Sequence, residues 1–384
     1  MLTENQRQVR DMARQFAQRE LAPTAAERDR VARFPREAFD KMAALGLLGM
    51  TVPVEHGGAG TDFVSYALAI MEIAAADGAS STSFQVHNSL VCQPLLKHGT
   101  ADQKERYLRP LARGEQLGAF CLTEPGAGSD AAAIATRAQR VGNKFVLNGT
   151  KQFITSGRSA DLALVFAVTD PGAGKKGLSA FIVPTRTPGY QVVRIESTMG
   201  QRSSDHCQIA FDNCEVLPEQ MLGDEGDGLK IALGNLEGGR IGVGAQSVGM
   251  ARAACEAALA YARERHTFGK PIIEHQAVAF RLADMATSLQ AAELMVLHAA
   301  RLRDEGRPCL KEASMAKLFA SEAAEAICSA AMQIHGGYGY LNDFPVERIY
   351  RDVRVCTIYE GTSDIQRLVI GRQVALDTHF QGVA

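Results

Sequence analysis

The sequence contains no tryptophan, no pair of cysteines in C-x-x-C spacing and no long uninterrupted apolar segment. Its eight scattered cysteines predict reduced, buried thiols in a cytoplasmic protein rather than disulfides or a zinc site. No run approaches the roughly 18 consecutive apolar residues of a membrane-spanning helix, and the polar N-terminus lacks the apolar core of a signal peptide. We therefore expect no membrane insertion. No histidine or carboxylate cluster has the spacing of metal ligands, so we also expect no metal.

Neither sign of charge is in excess. The chain carries 41 basic and 43 acidic side chains, a formal net charge of −2, and the two signs are interspersed. Proteins that bind nucleic acid or anionic membranes usually carry a basic patch or tail. We therefore expect neither kind of partner. The 46% apolar content is that of an ordinary globular protein, and 384 residues suffice for two or three domains.

The hydrophobic period changes twice along the chain. Residues 1–117 are alanine-rich and have helical periodicity. Residues 118–224 contain short apolar and β-branched runs separated by Pro/Gly turns, which predict a small barrel or sandwich. Residues 225–384 return to longer helices. The sequence thus predicts a multidomain α+β protein, ordered as helical domain, β domain and helical bundle.

Three local patterns give more specific expectations. Asn148-Gly149 stands between two short apolar runs and predicts a hairpin with a type I′ turn. In the first zone, helical spacing predicts one buried helix face formed by Phe63, Ala67, Ile70, Met71 and Ala74. In the third zone, the same argument predicts an apolar face formed by Met315, Leu318, Phe319, Ala323 and Ile327.

The segment Thr123-Glu124-Pro125-Gly126-Ala127-Gly128-Ser129-Asp130 is dense in turn-forming and hydroxyl residues. Its glycines permit close backbone approach, and its exposed amides and hydroxyls suit a polar cofactor edge or a phosphate. It has neither the P-loop pattern nor the βαβ context of a Rossmann motif. A plain surface turn is the alternative interpretation.

A second glycine-rich segment, residues 236–244, opens a long helical stretch. Each glycine in a helix costs about 1 kcal/mol relative to alanine, so the cluster indicates close approach of another backbone or of a ligand. Arg240 within it can form a forked contact with a carboxylate or phosphate. A surface arginine on a frayed first turn is the alternative. Farther along, His335 in a glycine cluster is either a proton donor or simply a hydrogen-bonded histidine.

Near the C-terminus, Ile358-Tyr359-Glu360-Gly361-Thr362-Ser363-Asp364-Ile365-Gln366 places a carboxylate directly before a glycine. Ser363 and Gln366 predict a capping box that opens a helix. Glu360 would then lie on an irregular turn, from which a scaffold can direct a base into a pocket. A solvated turn glutamate is the alternative interpretation.

The order of these motifs resembles the acyl-CoA dehydrogenase family over essentially the whole chain. Thr-Glu-Pro-Gly-Ala-Gly-Ser-Asp is followed by aromatic-Ile-Thr, Glu-Arg-x-x-Phe-Gly-Lys, Gln-x-x-Gly-Gly-x-Gly-Tyr and Ile-Tyr-Glu-Gly-Thr-Ser-Asp-Ile-Gln-Arg. The resemblance implies an N-terminal α-helical domain, a middle β domain and a C-terminal four-helix bundle. It also implies non-covalently bound FAD, an acyl-CoA substrate, electron-transferring flavoprotein as redox partner and a homotetramer.

In this resemblance Glu360 matches the catalytic base, which removes the pro-R α-proton while the β-hydride passes to flavin N5, giving the trans-2-enoyl-CoA. The base's backbone amide and a ribityl hydroxyl would stabilise the enolate, and a buried Glu360 would have a raised pKa. The residues that match contacts around the flavin are Phe120, Leu122, Thr123, Gly128, Ser129, Phe153, Ile154 and Thr155. Those that match other FAD contacts, several made across the subunit interface, are Arg265, Thr267, His275, Gln276, Gln333, Ile334, Gly336 and Gly337. Gly361, Thr362, Ser363 and Asp364 match residues around the pyrophosphate and adenosine. The substrate contacts implied are Ser129, Glu237, Arg240, Glu360 and Gly361.

The chain departs from the commonest family pattern at one position, where Phe153 replaces a tryptophan beside the flavin. Phenylalanine keeps an apolar wall but offers less stacking area and no indole N–H. In the isovaleryl and long-chain branches of this family the base lies on the glycine-rich helix instead. Because Glu360 is present and the helix near Ile241 carries no carboxylate, the resemblance favours the short-, medium- or short-branched-chain branches. Of these, residues 311–324 and 345–352 look most like the short-chain type, and the Thr-Glu-Pro-Gly and Phe-Ile-Thr motifs also resemble isobutyryl-CoA dehydrogenases.

Two other functions remain open from the sequence. One is a flavin oxidase of the same fold, which passes electrons to oxygen or acts on a nitroalkane; glutamate rather than aspartate at position 360 opposes the nitroalkane type. The other is a non-catalytic CoA-ester-binding protein, which the intact Glu360 and flavin segments oppose.

Overall fold

The computed structural model describes residues 1–377; residues 378–384, the end of the third zone, lie outside the described part. The first part of the chain is helical. Its helices are α1 (Glu4–Phe16), α2 (Ala25–Val31), α3 (Arg36–Ala44), α4 (Phe63–Ala76), α5 (Gly78–Gln85), α6 (Gln93–His98), α7 (Ala101–Gln103) and α8 (Arg109–Ala112). A π-helical segment, Val86–Cys92, joins α5 to α6.

Helix α4 lies at the centre of the helical core. Asp62 caps it, with its side chain accepting a hydrogen bond from the Ser65 N–H. The prediction of a helix here is confirmed, and the predicted face is buried apart from the half-buried Phe63, but it is not the only buried face. Every residue from Val64 to Ala74 is buried, because α1 packs on one side of α4 and the long bundle helix of residues 236–264 packs on another.

The middle part is a sheet of eight strands. They are β1 (Gly118–Cys121), β2 (Arg137–Val141), β3 (Lys144–Ile154), β4 (Leu162–Val168), β5 (Leu178–Pro184), β6 (Tyr190–Ile195), β7 (Cys207–Val216) and β8 (Met221–Leu222). The order across the sheet is β6-β7-β3-β2-β4-β5-β8, with β1 parallel to β4. Alternate residues of β4 face two cores, one shared with the helices of the first part and one shared with β3 and β7.

The predicted hairpin at Asn148-Gly149 is wrong. Both residues lie inside the single long strand β3, where the register against β7 shifts between Leu147 and Gly149. A Cβ on Gly149 would lie 2.5 Å from the Oγ1 of Thr136, so this glycine serves a bulge with close side-chain approach rather than a turn. The tight turn falls earlier, at Gly142 between β2 and β3.

The last part is a helical bundle. It comprises α9 (Gly228–Leu233), α10 (Leu236–Glu264), α11 (Gln276–Asp304), α12 (Leu310–His335), α13 (Pro345–Val353) and α14 (Ser363–Leu376), with a small hairpin of β9 (His266–Thr267) and β10 (Lys270–Pro271) after α10. Helix α10 packs against α4, α11 and α12. In the described part of the chain, no helix is both long and apolar enough to cross a lipid bilayer.

The predicted apolar face of α12 is wrong except at Ile327, which is buried. Apart from Lys317, the fully buried positions of its first half are small residues, among them Ala313, Ala316 and Ala320, whereas Phe319 is exposed. Small side chains let α12 lie close against α10, where Gly244 also faces the backbone of Ala316. Close helix packing, rather than the size of the apolar side chains, therefore determines which face is inside.

The cysteines agree with the expectation of reduced thiols. All eight are free, and all except Cys255 are buried.

Candidate active site

Glu360 lies on an irregular turn between a 3₁₀ turn, Arg354–Thr357, and helix α14. Its φ is +54° and that of Gly361 is +89°. A left-handed backbone costs a glycine little but is unusual for glutamate, and such outliers concentrate at functional sites. The predicted turn before a helix is confirmed.

The cap of α14 differs from the predicted capping box. Thr362, not Ser363, is the N-cap, and its hydroxyl accepts a hydrogen bond from the Ile365 N–H at 3.3 Å. Gln366 turns back toward the preceding loop, where its Nε2 donates to the carbonyl oxygens of Glu360 at 3.1 Å and of Gly361 at 2.9 Å. The backbone around Glu360 is therefore fixed from α14.

A buried lysine holds the same turn from the other side. Lys317 of α12 is fully buried, and its Nζ donates to the carbonyl oxygen of Gly361 at 2.9 Å. Burial lowers the pKa of Lys317 to about 8, while the nearby Glu360 carboxylate opposes this effect. At neutral pH the ammonium is therefore mostly charged.

The Glu360 carboxylate is directed at the first turn of α10. Its Oε1 accepts a hydrogen bond from the Nε2 of Gln85 at 3.2 Å. A Cβ built on Gly239 would lie 2.4 Å from the Oε2 of Glu360, so a larger residue at position 239 would displace this carboxylate. The glycine cluster of α10 therefore does mark a close approach, but at Gly239 the approaching group is a side-chain carboxylate rather than the backbone or ligand that the sequence predicts.

The surroundings raise the pKa of Glu360. Burial of the carboxyl is the largest cause, and the hydrogen bond from Gln85 and the charges of Arg240 and Lys317 partly oppose it. A carboxylate with a raised pKa is a stronger base than an ordinary glutamate. Glu360 is half-buried and accepts a hydrogen bond from Gln85, which does not agree with the interpretation as a solvated turn residue.

Gly239→Ala is expected to lower the activity of this site without unfolding the protein. The added methyl group would displace the Glu360 carboxylate, and a misplacement of about 1 Å can cost roughly 10²-fold in rate. Flavin reduction by substrate measures the loss. Gly371→Ala in α14 is the matched control, because a Cβ at Gly371 meets nothing within 4 Å. Equal activity of the two variants would contradict the geometry described here.

The alternative of a surface arginine at position 240 is also wrong. Arg240 is buried, and its Nη1 donates to the Oγ of Ser314 at 3.0 Å. No protein group among residues 1–377 accepts from its buried Nε. The other residue of this segment that the sequence selects, Glu237, is half-buried, and its Oε2 lies 3.6 Å from the Nη1 of Arg303.

The segment 123–130 is anchored by a buried ion pair that sequence reasoning missed. Lys151 of β3 is 0% exposed, and its Nζ donates to the Oε1 of Glu124 at 2.7 Å and to the carbonyl oxygen of Leu122 at 3.0 Å. Glu124 also accepts from the N–H groups of Ala135 and Thr136, at 2.6 and 3.0 Å. Residues 123–129, which we call the shelf, are therefore anchored to the sheet at Glu124, while Pro125 and Gly126 form an exposed turn.

The structure brings the two predicted flavin segments side by side. The Gln152 N–H donates to the carbonyl oxygen of Thr123 at 2.8 Å, which joins the first segment to the second. Next to this bond, Phe153 has a φ of +59° and is 64% exposed, so a bulky apolar ring stands open to solvent on a strained backbone. Such a surface fits a planar aromatic cofactor.

The remaining residues of these two segments fall into two groups. Ile154 packs into the sheet core, so its backbone but not its side chain can reach a bound group. The partly or fully exposed residues are Phe120, Leu122, Thr123, Gly128, Ser129 and Thr155. The hydroxyl of Thr155 lies 3.2 Å from the Nδ1 of His206, a half-buried histidine whose pKa is lowered to about 4 by desolvation and which is therefore neutral.

A second set of predicted residues surrounds a cavity at the far end of the bundle. The cavity has a volume of about 420 Å³. Its lining includes Arg265, Thr267, Ile334, Gly336 and Gly337, with Tyr261, Ile272, His335, Tyr338 and Leu341. The space that a Cβ would enter at Gly336 or Gly337 contains no other atom within 4 Å. The absence of side chains at these glycines therefore leaves the cavity open.

Three other residues are predicted with this set. His275 lies near the cavity, Gln276 begins α11 and Gln333 lies in the last turn of α12. The His275 Nε2 is 3.1 Å from the Oγ1 of Thr267, while Gln276 and Gln333 are exposed. His335 makes a 2.8 Å hydrogen bond from its Nδ1 to the carbonyl oxygen of Ala331. The interpretation of His335 as a simply hydrogen-bonded residue agrees with this contact.

Of the last predicted set, Gly361, Thr362 and Ser363 are half-buried and Asp364 is exposed at the start of α14. The Ser363 hydroxyl is buried and has no partner among residues 1–377. The first turn of α14 therefore presents polar groups beside Glu360.

Comparison with known proteins identifies the family. Sequence profiles of the acyl-CoA dehydrogenase N-terminal, middle and C-terminal domains match residues 3–115, 119–214 and 226–375. The mitochondrial short-chain specific acyl-CoA dehydrogenase of Mus musculus is 46% identical over 369 residues, which cover 96% of this chain and 90% of that protein.

Solved structures agree in fold over nearly the full length. A chain solved in work on the electron transferring flavoprotein of Acidaminococcus fermentans and flavin-based electron bifurcation has a TM-score of 0.97 and 45% identity, covering 98% of this chain and 99% of that one. Butyryl-CoA dehydrogenase from Megasphaera elsdenii has a TM-score of 0.96 and 41% identity, with the same coverage. The family resemblance and the three-part fold are thereby confirmed. The chain belongs to the acyl-CoA dehydrogenase family of FAD-dependent oxidoreductases.

Proposed function

We propose that this protein oxidises a short-chain acyl-CoA to the trans-2-enoyl-CoA, with Glu360 removing the α-proton. The observation that carries this proposal is the placement of the Glu360 carboxylate, which is held by Gln85, lies against Gly239 and has a pKa raised by burial. The α-proton of a thioester is weakly acidic, so the base must be strong and the developing negative charge must be stabilised.

The backbone of Glu360 can supply part of that stabilisation. No group among residues 1–377 accepts a hydrogen bond from the Glu360 N–H. The turn that carries this N–H is held by Gln366 and Lys317, so the donor is in place before the substrate binds. We assign it to the thioester oxygen, where it would stabilise the enolate form of the substrate.

FAD, when bound, supplies the acceptor for the β-hydride. The exposed Phe153 ring, the Thr155 hydroxyl and the shelf of residues 123–129 support this assignment of the flavin site. The residues that would hold the flavin are Phe120, Leu122, Thr123, Gly128, Ser129, Phe153, Ile154 and Thr155. Those that would contact the pyrophosphate and adenosine near the base are Gly361, Thr362, Ser363 and Asp364. Ser129, Glu237, Arg240 and Gly361 would contact the substrate together with Glu360.

We also propose a homotetramer, as the family resemblance implies, and the cavity at the far end of the bundle supports FAD contacts that are shared between subunits. Gly239, next to the base, and Arg265, at the cavity, lie 26 residues apart along α10, which is about 39 Å at 1.5 Å per residue. This distance exceeds the length of an extended FAD. If Arg265 and Gly337 contact FAD, it is therefore the FAD of another subunit. Thr267, His275, Gln276, Gln333, Ile334 and Gly336 complete that assigned set.

We further propose electron-transferring flavoprotein as the electron acceptor. The similarity to a chain solved in work on that flavoprotein supports this assignment. The short-chain assignment is supported by the murine and Megasphaera relatives, which are named for short-chain and butyryl-CoA substrates. The eight free cysteines suit a reducing compartment such as the cytoplasm.

The test of the substrate class is anaerobic mixing of the purified holoprotein with propionyl-, butyryl-, isobutyryl- and octanoyl-CoA, followed through visible flavin absorption. We expect butyryl-CoA to bleach the flavin fastest. A faster reaction with isobutyryl- or octanoyl-CoA would contradict the short straight-chain assignment. Bleaching that reverses rapidly in air would support a flavin oxidase instead.

The rate of flavin reduction is expected to rise with pH through the pKa of Glu360. The carboxyl is inactive as a base when protonated, and burial raises its pKa above the ordinary value for glutamate, so activity is lost on acidification earlier than for an exposed carboxylate. Stopped-flow reduction at saturating butyryl-CoA over a range of pH measures the midpoint. A rate that does not change with pH down to about 4.3, the ordinary glutamate value, would contradict the raised pKa.

A further inference from the structure

Gln85 is the last residue of α5, at the point where the chain enters the π-helical segment Val86–Cys92. It is only 2% exposed. Interruptions of this kind in a helix frequently occur at functional sites, because they redirect a side chain without ending the helix. Here the side chain is directed between α10 and the turn that carries Glu360.

The amide of Gln85 lies among three acceptors. Its Nε2 is 3.2 Å from the Glu360 Oε1, 2.9 Å from the Ser89 Oγ and 3.4 Å from the carbonyl oxygen of Gly239. Ser89 in turn donates to the backbone carbonyl of Gln85 at 2.9 Å, so the hydroxyl that accepts from the Gln85 amide is itself held in place. A buried amide with this many contacts has one orientation, so its bond to Glu360 is preformed.

The packing on α10 explains a second glycine of the cluster. A Cβ built on Gly242 would lie 2.7 Å from the Cγ of Gln85, just as a Cβ on Gly239 would collide with Glu360. Residues three apart share one face of a helix. Two glycines on one face of α10 therefore leave room for other side chains: Gly239 for the Glu360 carboxylate and Gly242 for Gln85.

We propose that Gln85 is a positioning residue, which holds the Glu360 carboxylate in one orientation and in its ionised form. The inference rests on the proposed role of Glu360. Gln85 binds Oε1, whereas Oε2 accepts no hydrogen bond from residues 1–377, so Oε2 is the oxygen left to receive the substrate proton. An N–H donated to a carboxylate stabilises its charged form relative to the protonated one.

Other charged and titratable groups also face Glu360 and must be kept constant in a test. They are Arg240 on α10, Lys317 on α12 and Tyr66 on α4. Burial raises the pKa of Tyr66 far above neutral, so its hydroxyl stays uncharged. The positive charges of Arg240 and Lys317 act in the same direction as Gln85.

The experiment compares Gln85→Leu with the wild-type holoenzyme. Leucine keeps the bulk against Gly242 and removes the donor. The limiting rate of flavin reduction by butyryl-CoA should have a midpoint shifted upward by about one pH unit or more, since a hydrogen bond to a charged group has about that effect. Half-saturation by butyryl-CoA should change little, because Gln85 acts through Glu360.

Gln103→Leu is the matched control. Gln103 is also buried and also donates two hydrogen bonds, to the carbonyl oxygens of Glu219 and Met221, but lies outside the site. This variant should keep the wild-type midpoint. Gln85→Glu is the second variant, in case leucine prevents folding: a second carboxyl at the same place should raise the midpoint further, because two adjacent carboxylates resist ionising together.

A wild-type midpoint in Gln85→Leu, or in Gln85→Glu if the leucine variant does not fold, would overturn the proposal. The failure of the proposed function is seen separately, in Glu360→Gln. Residual flavin reduction at the wild-type rate in that variant would remove Glu360 as the base whatever Gln85 does.

Discussion

Glu360→Gln is expected to slow flavin reduction by butyryl-CoA by roughly 10²–10⁴-fold, the usual contribution of a general base. Glutamine has nearly the same size and can adopt the same left-handed turn, but its neutral amide cannot take the α-proton. FAD content and acyl-CoA binding should persist, because the turn is held through its carbonyl groups by Gln366 and Lys317. Anaerobic stopped-flow absorption of the flavin measures the rate, and the spectral change on ligand binding measures acyl-CoA affinity.

Glu322→Gln is the control for this variant. It is the same chemical change at an exposed carboxylate of α12, where Glu322 pairs with Arg367 on the surface. The rate of flavin reduction should stay within a few fold of wild type, since exposed ion pairs contribute little. A Glu360→Gln protein that reduces its flavin as fast as Glu322→Gln would show that another group is the base.

Lys151→Met is expected to destabilise the protein by about 3–5 kcal/mol, the cost of leaving one member of a buried ion pair unpaired. Lys151 is 0% exposed, and without it the Glu124 carboxylate would stay buried without its counter-charge. The shelf of residues 123–129 should also loosen, because Lys151 holds the carbonyl oxygen of Leu122. Denaturant unfolding and FAD content measure the two effects.

The matched control changes another lysine of the same strand. Lys144 pairs with Glu215 on the exposed side of β3, so Lys144→Met should cost less than about 1 kcal/mol and leave FAD content unchanged. A Lys151→Met protein as stable as Lys144→Met would show that the buried pair does not hold the shelf.

The Glu124–Lys151 pair also predicts how the stability of the folded protein depends on pH. Burial raises the pKa of Glu124. The charge of Lys151 and the hydrogen bonds that Glu124 accepts outweigh this effect, so the pKa of Glu124 in the folded protein lies below the ordinary value. The stabilisation is therefore complete above the pKa of the unfolded carboxyl and is lost as pH falls through the folded-state pKa.

The sequence was sufficient for the order of the three parts and for the turn that carries Glu360. Helical and strand periodicities are local properties, so the zones and the turn at Glu360 could be predicted residue by residue. The glycines of α10 predicted a close approach, since glycine is costly in a helix. Their partners, Glu360 and Gln85, are distant in sequence, and no local pattern specifies them.

The wrong predictions share one cause, which is contact between residues that are distant in sequence. Asn148-Gly149 has turn chemistry, but its glycine is needed where Thr136 approaches β3. On α12 the large apolar residues suggested an inward face, whereas the alanines face α10 because close helix contact requires small side chains. Buried Lys151 and Lys317 were missed because an isolated lysine in a sequence is usually exposed, and only tertiary structure reveals a carboxylate or carbonyl acceptor beside it.

The most direct test of the central claim uses butyryl-CoA fully deuterated at C2, mixed anaerobically with the wild-type holoenzyme. We predict that the flavin bleaches more slowly than with the unlabelled substrate, and that mass spectrometry finds a trans-2-enoyl-CoA that has lost one of its two C2 deuterons. Bleaching with both deuterons retained, or no bleaching at all, would contradict an α,β-dehydrogenation of butyryl-CoA and would leave Glu360 without a proton to remove.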